Sequence, residues 1–121
     1  MPSLATLQAF ADTVEDNDHV GAILKFYAPE ARTRENDGPF RVGREALAER
    51  ERAVLASVAG VKTTRLGPLM LAGDHSAICW RFEFTGKDGE VRAMEEVAWQ
   101  TWRGEELIEE RFFYDPQQMK R

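Results

Sequence analysis

The chain has 121 residues, 43% of them hydrophobic and 31% charged, with a formal net charge of −5. That is the size of one domain, residues 1–121, able to bury a core without disulfides or metal. The acidic balance argues against nucleic acid as a partner, because phosphate binding needs clustered Lys and Arg, and no apolar run approaches the roughly 20 residues of a membrane span.

A single cysteine, Cys79, leaves no internal disulfide to form. The opening MPSLATLQAFADTVEDND has neither the basic nor the apolar region of a signal peptide. Together these features predict a cytoplasmic protein.

In chain order, Leu4, Leu7, Phe10, Ala11 and Val14 recur at helical spacing, and Ser3 can cap the helix they predict. DNDHV breaks it. A second helix, HVGAILKFYA, carries Val20, Ile23, Leu24 and Tyr27 on one side and ends at Pro29. ARTREN reads as a short strand and NDGPF as a turn. GREALAERERAVLASV is a third helix with Ala46, Leu47, Ala53, Val54 and Val58 as its apolar stripe, stopped by Gly60; its ERER run reads as a solvated face.

The second half alternates. VKTTRLGPLMLAG is a strand with a Gly-Pro irregularity. In HSAICWRFEFTG, Ile78, Trp80, Phe82 and Phe84 face one way while Cys79, Arg81 and Glu83 face the other. KDG is a three-residue hairpin loop with Gly89 left-handed. EVRAMEEVAWQTW returns, RGE turns again, and ELIEERFFYD is the last strand. The predicted class is α+β: three N-terminal helices packed on a strongly curved antiparallel sheet, forming a cone with one internal pocket.

KFYAPEARTREND, GREALAERE and WRFEFTGKDGEVRAMEEVAWQTWRGEELIEERFFYDP, in that order, resemble the SnoaL-like branch of the nuclear transport factor 2-like superfamily. The resemblance spans roughly Val20 to Pro116. It implies a cone around one deep apolar pocket. Members include ketosteroid isomerase, polyketide cyclases, limonene epoxide hydrolase, scytalone dehydratase and binding domains, so the fold alone does not choose a function.

The hairpin sets the register. With KDG as the loop, Gly86 opposes Glu90, Phe84 opposes Arg92, Phe82 opposes Met94, Trp80 opposes Glu96 and Ile78 opposes Ala98. The concave face then holds Met94, Glu96, Ala98, Gln100 and Trp102. A one-residue slip would bring in Glu95, Val97 and Trp99 instead. At RGE, pairing Trp102 with Glu106 puts Ile108, Glu110, Phe112 and Tyr114 inside and Arg111 and Phe113 outside. Tyr27 leans into the same space, and Glu35 lies near the mouth. The expected pocket has walls of Tyr27, Trp80, Phe82, Met94, Trp102, Phe112 and Tyr114, with Glu96, Gln100, Glu110 and Glu35 as polar groups. A small apolar or polycyclic ligand suits such a lining.

Glu96 is the leading general acid or base, because a carboxyl on an apolar wall is desolvated and its proton affinity rises. The resemblance puts Glu96 near a pocket acid of ketosteroid isomerase and Glu35 near that family's base. The competing reading leaves Glu35 in solvent and pairs Glu96 with Arg92 or Arg34. The first helix, LQAFAD, lacks the tyrosine that ketosteroid isomerase places there, which speaks against that reaction. A limonene epoxide hydrolase-like arrangement would need Arg111 between acids such as Glu96, Glu109 and Asp115. His19 and His75 read as surface residues; no metal set, Gly-rich phosphate loop or cofactor motif appears.

On the convex face, Cys79, Val97, Trp99, Thr101, Leu107 and Phe113 would be exposed. Large aromatics there predict a symmetric homodimer through Val97, Trp99 and Phe113. Two functional classes stay open. One is an acid–base isomerase, cyclase, dehydratase or hydrolase. The other is a ligand-binding or dimeric scaffold domain without turnover.

Overall fold

The computed structural model describes residues 1–119. Helix α1, Leu4–Glu15, starts where the Ser3 hydroxyl accepts from the Thr6 amide at 3.0 Å. Asn17, in the left-handed region at φ 67°, breaks the chain, and Asp18 then caps α2, His19–Phe26, by accepting from the Gly21 amide at 2.9 Å. Strands β1, Tyr27–Glu35, and β2, Arg41–Val42, follow. Helix α3 spans Arg44–Ala56. The rest is β3, Val58–Arg65; β4, Met70–Ala72; β5, His75–Gly86; β6, Val91–Arg103; and β7, Glu106–Phe113. A 3-10 turn at Pro116–Met119 closes the described chain.

The architecture is α+β, with three helices on one curved sheet of order β2-β1-β7-β6-β5-β3 and β4 beside β5. The expected antiparallel meander is present from β5 to β7, but the sheet as a whole is mixed, because β1 runs parallel to β7. The second helix also ends earlier than the sequence suggests. The residue before a proline avoids the helical region, so the chain leaves α2 at Phe26, and Tyr27 opens β1. Pro29 lies inside that strand, in the stretch where pairing with β7 jumps from Tyr27↔Leu107 to Arg32↔Glu109. A residue without an N–H belongs at such an irregularity. Gly60 does not stop α3; Ser57 does, and Gly60 sits in β3 at a register shift. Gly67-Pro68 divides the expected long strand into β3 and β4.

The β5–β6 register is the one expected from the KDG loop, with Phe82↔Met94, Trp80↔Glu96 and Ile78↔Ala98. Gly89, at φ 86°, makes the turn. At the next turn the pairing differs by one residue. Arg103 faces Glu106 and Trp102 faces Leu107; Thr101 then faces Glu109, leaving Ile108 as the extra residue of a bulge. Leu107 therefore points into the core and is fully buried, not exposed on the convex face. The bulge restores the alternation, so Glu110 and Phe112 still share a face with Gln100 and Ala98.

Helices α1 and α2 close one end of the concave face. Phe10 meets Phe26 and Trp102 edge to face, at 5.5 and 5.8 Å between centroids. Each such fully buried side chain contributes about 1.5–3 kcal/mol. This packing seals the floor and leaves the rest of the concave face open to a cavity.

Candidate functional site

The cavity has a volume of about 340 Å³, within the roughly 300–1,000 Å³ of small-molecule pockets. Strand alternation supplies its sheet wall: Trp80, Phe82 and Phe84 from β5, Met94 and Glu96 from β6, Glu110 and Phe112 from β7. The helices supply the facing wall, with Phe10 and Val14 from α1, Ile23 from α2 and Val54 from α3. Tyr27, Glu35 and Tyr114 complete the expected set that does line it. Gln100 and Trp102, expected in the lining, lie behind it. Both are fully covered by protein, because α1 packs directly over Trp102.

Those two residues anchor a buried hydrogen-bond chain. Trp102 Nε1 donates to Ser76 Oγ at 2.8 Å, Ser76 Oγ donates to Gln100 Oε1 at 2.7 Å, and Gln100 Nε2 donates to Glu110 Oε2 at 2.8 Å. The Tyr27 hydroxyl donates to the other oxygen, Glu110 Oε1. Every hydrogen in the chain points toward Glu110. Burial raises the proton affinity of Glu110, against the hydrogen bonds from Gln100 and Tyr27 that favour its anion. The Tyr27 hydroxyl is itself pushed well above its ordinary range by burial and by the neighbouring Glu110.

Glu96 is different. Its Oε2 is buried and has no hydrogen-bond partner among the described residues. Neither Arg92 nor Arg34 pairs with it: Arg34 reaches Asp37 at 3.5 Å and stacks on Phe40. Burial, then the negative charges of Glu110, Glu35 and Glu51, raise the Glu96 carboxyl to about 8. It is therefore mostly protonated at neutral pH, and either accepting or releasing a proton there is easy.

Glu35 has both oxygens engaged. Tyr114 donates to Oε1 at 2.8 Å, and Arg41 donates to Oε2 at 3.0 Å with Arg50 3.8 Å away. Partial burial would raise this carboxyl, but the bonds from Arg41 and Tyr114 and the charges of Arg41 and Arg50 outweigh it, and the net effect is a lowered value. Tyr114 is raised to about 12 by burial and by its bond to Glu35. Glu35 is thus a half-exposed, ion-paired carboxylate and not a free base.

Three polar residues expected in solvent are in the cavity wall. His19 is buried there, with Nε2 2.8 Å from Thr63 Oγ1 and Nδ1 3.4 Å from Glu51 Oε1, its ring edge-on to Phe82. Glu51 and Arg50, from the ERER run, also line the space, as do Arg41 and Thr33. A sequence signal existed. His19, Ala22, Ile23 and Phe26 share one helix face, and Leu47, Arg50, Glu51 and Val54 share another. His75 is on the surface, stacked on Trp99. Arg111 turns away from the cavity to the Asn36 carbonyl and to Asp37, so it is not held between pocket acids. Among the described residues no group of three or more His, Cys, Asp or Glu side chains is arranged to hold a metal ion. No helix among them is long and apolar enough to cross a membrane.

No family model and no curated protein matches the chain. Solved structures do. A protein from Mesorhizobium loti, described as a proposed SnoaL-like polyketide cyclase with carbohydrate phosphatase in brackets, is 29% identical at a TM-score of 0.76, over 91% of this chain and 97% of its own. A nuclear transport factor 2-like protein of unknown function from Burkholderia pseudomallei is 15% identical at a TM-score of 0.80, over 96% and 92%. A protein from Catenulispora acidiphila with a ketosteroid isomerase-like fold, solved with trimethylamine, is 20% identical at a TM-score of 0.76, over 93% and 87%. In fold, and most strongly in its likeness to the Mesorhizobium loti protein, the chain is similar to the SnoaL-like proteins of the nuclear transport factor 2-like superfamily.

Proposed function

We propose that this protein takes a small, largely apolar molecule into the cone and exchanges a proton with it through Glu96. The observation that carries this reading is the buried, unpartnered Glu96 Oε2 on a wall of aromatic rings. An acid in such a place is protonated near neutral pH and strengthened by its low-dielectric surroundings. Isomerisation, cyclisation or dehydration each need one group of this kind. The description of the Mesorhizobium loti protein as a polyketide cyclase is in keeping with such chemistry.

The test is proton exchange. A panel of cyclic ketones with acidic C–H bonds is incubated with the protein in deuterated buffer, and loss of the C–H signal is followed by proton NMR. Glu96→Gln should slow enzyme-dependent exchange about 10²–10⁴-fold, the usual contribution of a positioned acid–base group. Exchange that survives in Glu96→Gln sinks the proton-transfer reading.

A second reading, binding without turnover, draws on Glu35. With both of its oxygens occupied by Tyr114 and Arg41, Glu35 is not free to serve as a second base beside Glu96. Ligand-induced quenching of Trp80 fluorescence with no exchange in any panel member would favour it. We also propose that the convex face pairs two copies of the chain. Val97, Trp99 and Phe113 are 40, 42 and 41% exposed, and Val97 and Phe113 are cross-strand partners.

A further inference from the structure

The cavity wall is unbalanced in charge. Four carboxyl groups line it, Glu35, Glu51, Glu96 and Glu110, against two guanidiniums, Arg41 and Arg50, and one imidazole, His19. Both guanidiniums are turned to Glu35 at one edge. His19 is engaged by Thr63 and Glu51. Glu110 is satisfied by two neutral donors, Tyr27 and Gln100. Among the described residues of the cavity wall no cation is left for Glu96, whose Oε2 is buried without a partner.

The surroundings of that atom are aromatic. Trp80 is the cross-strand partner of Glu96, Phe82 is the next residue along the same face, and Phe112 faces Ala98 on the other side. Cross-strand partners have Cβ atoms about 4.5–5.5 Å apart, so a group bound at Glu96 touches the indole. Faces of Trp and Phe attract a cation, more strongly when water is excluded. The neighbouring carboxylates that oppose a further negative charge on Glu96 favour a positive one beside it.

We propose that the ligand is an organic amine with an apolar body, bound as its ammonium ion against Glu96 and the Trp80 ring. The inference rests on the proton-exchanging pocket proposed above and names the class of molecule it takes. The binding step balances simply. The protonated Glu96 carboxyl releases its proton to solvent, and the resulting carboxylate pairs with the incoming ammonium. The free cavity holds an acid; the loaded cavity holds a base made available only once the cation is in place. Glu35, Glu51, Glu110 and His19 face the same space and set the field, while Arg41 and Arg50 keep Glu35 ionised at the edge.

The test compares three probes of like shape at pH 7: N,N-dimethylbenzylamine, its carbon isostere isobutylbenzene, and phenylacetate. Binding is read by Trp fluorescence and by calorimetry in two buffers of different ionisation enthalpy. The amine should bind at least about tenfold more tightly than the hydrocarbon, as a desolvated cation–π contact and an ion pair imply. It should release about one proton, by linkage. Glu96→Gln should remove the preference, and phenylacetate should be the weakest. Equal or tighter binding of isobutylbenzene or phenylacetate to the wild type overturns the inference while leaving the pocket reading intact. So does amine binding without proton release. If none of the three binds, the inference fails, and an ordinary Glu96 titration measured alongside would then bring down the proposed function too.

Discussion

Replacing Glu96 by Gln should change how stability depends on pH. Each tenfold change in proton affinity is worth ~1.36 kcal/mol. The carboxyl titrates at the ordinary 4.5 in the unfolded chain and at about 8 in the folded one. Below pH 4.5 both states hold the proton and Glu96 costs nothing. Between those values the unfolded chain has released its proton and the folded protein has not, so stability falls as pH rises. Above about 8 the cost is complete, at about 5 kcal/mol. Gln has the same shape and never ionises. Urea unfolding of both proteins at pH 5, 6.5 and 8 reads the difference directly. The variant should lose much less stability than the wild type across this window and should be the more stable protein at pH 8. Glu110, raised in the same direction, contributes to the slope of both proteins. Parallel pH profiles for the two proteins would refute the argument that Glu96 is buried without a partner.

Tyr27→Phe removes one of the two donors to Glu110 and should cost about 1–3 kcal/mol, the penalty of an unmet buried acceptor, as measured by urea unfolding at pH 7. Gly89→Ala forces a Cβ into the left-handed region at φ 86° and should cost about 1–2 kcal/mol in thermal melts without altering the cavity. Trp99→Ser combined with Phe113→Ser should shift sedimentation from dimer to monomer; a wild type that already sediments as a monomer removes the proposed pairing through this face.

The sheet face of the site was legible in the sequence because one short hairpin carried it. Alternation in HSAICWRFEFTG and the left-handed Gly89 of KDG together place Trp80 against Glu96, since strand side chains have period two. The bulge at Ile108 was not legible. An extra residue leaves no mark in composition, and unbroken alternation back from Glu110 puts Leu107 on the convex face instead of in the core. The parallel pairing of β1 with β7 joins segments about seventy residues apart, beyond any local pattern. The helix wall is hidden in the sequence for a different reason. The apolar stripe runs through Leu47 and Val54, while Arg50 and Glu51, on the same face, read by type as solvent residues. A pocket, unlike a core, admits charge on its inner face. His19 is hidden in the same way, since a polar residue just after a cap also describes the first turn of an ordinary surface helix.

The most direct measurement is the titration of Glu96 itself, followed by carbon-13 NMR of its side-chain carboxyl in protein labelled at glutamate and assigned by comparison with Glu96→Gln. A midpoint near 8 is the result expected for an unpartnered acid in the aromatic cavity. A midpoint near the ordinary 4.5 would contradict it, and with it the proton-exchanging site built on that residue.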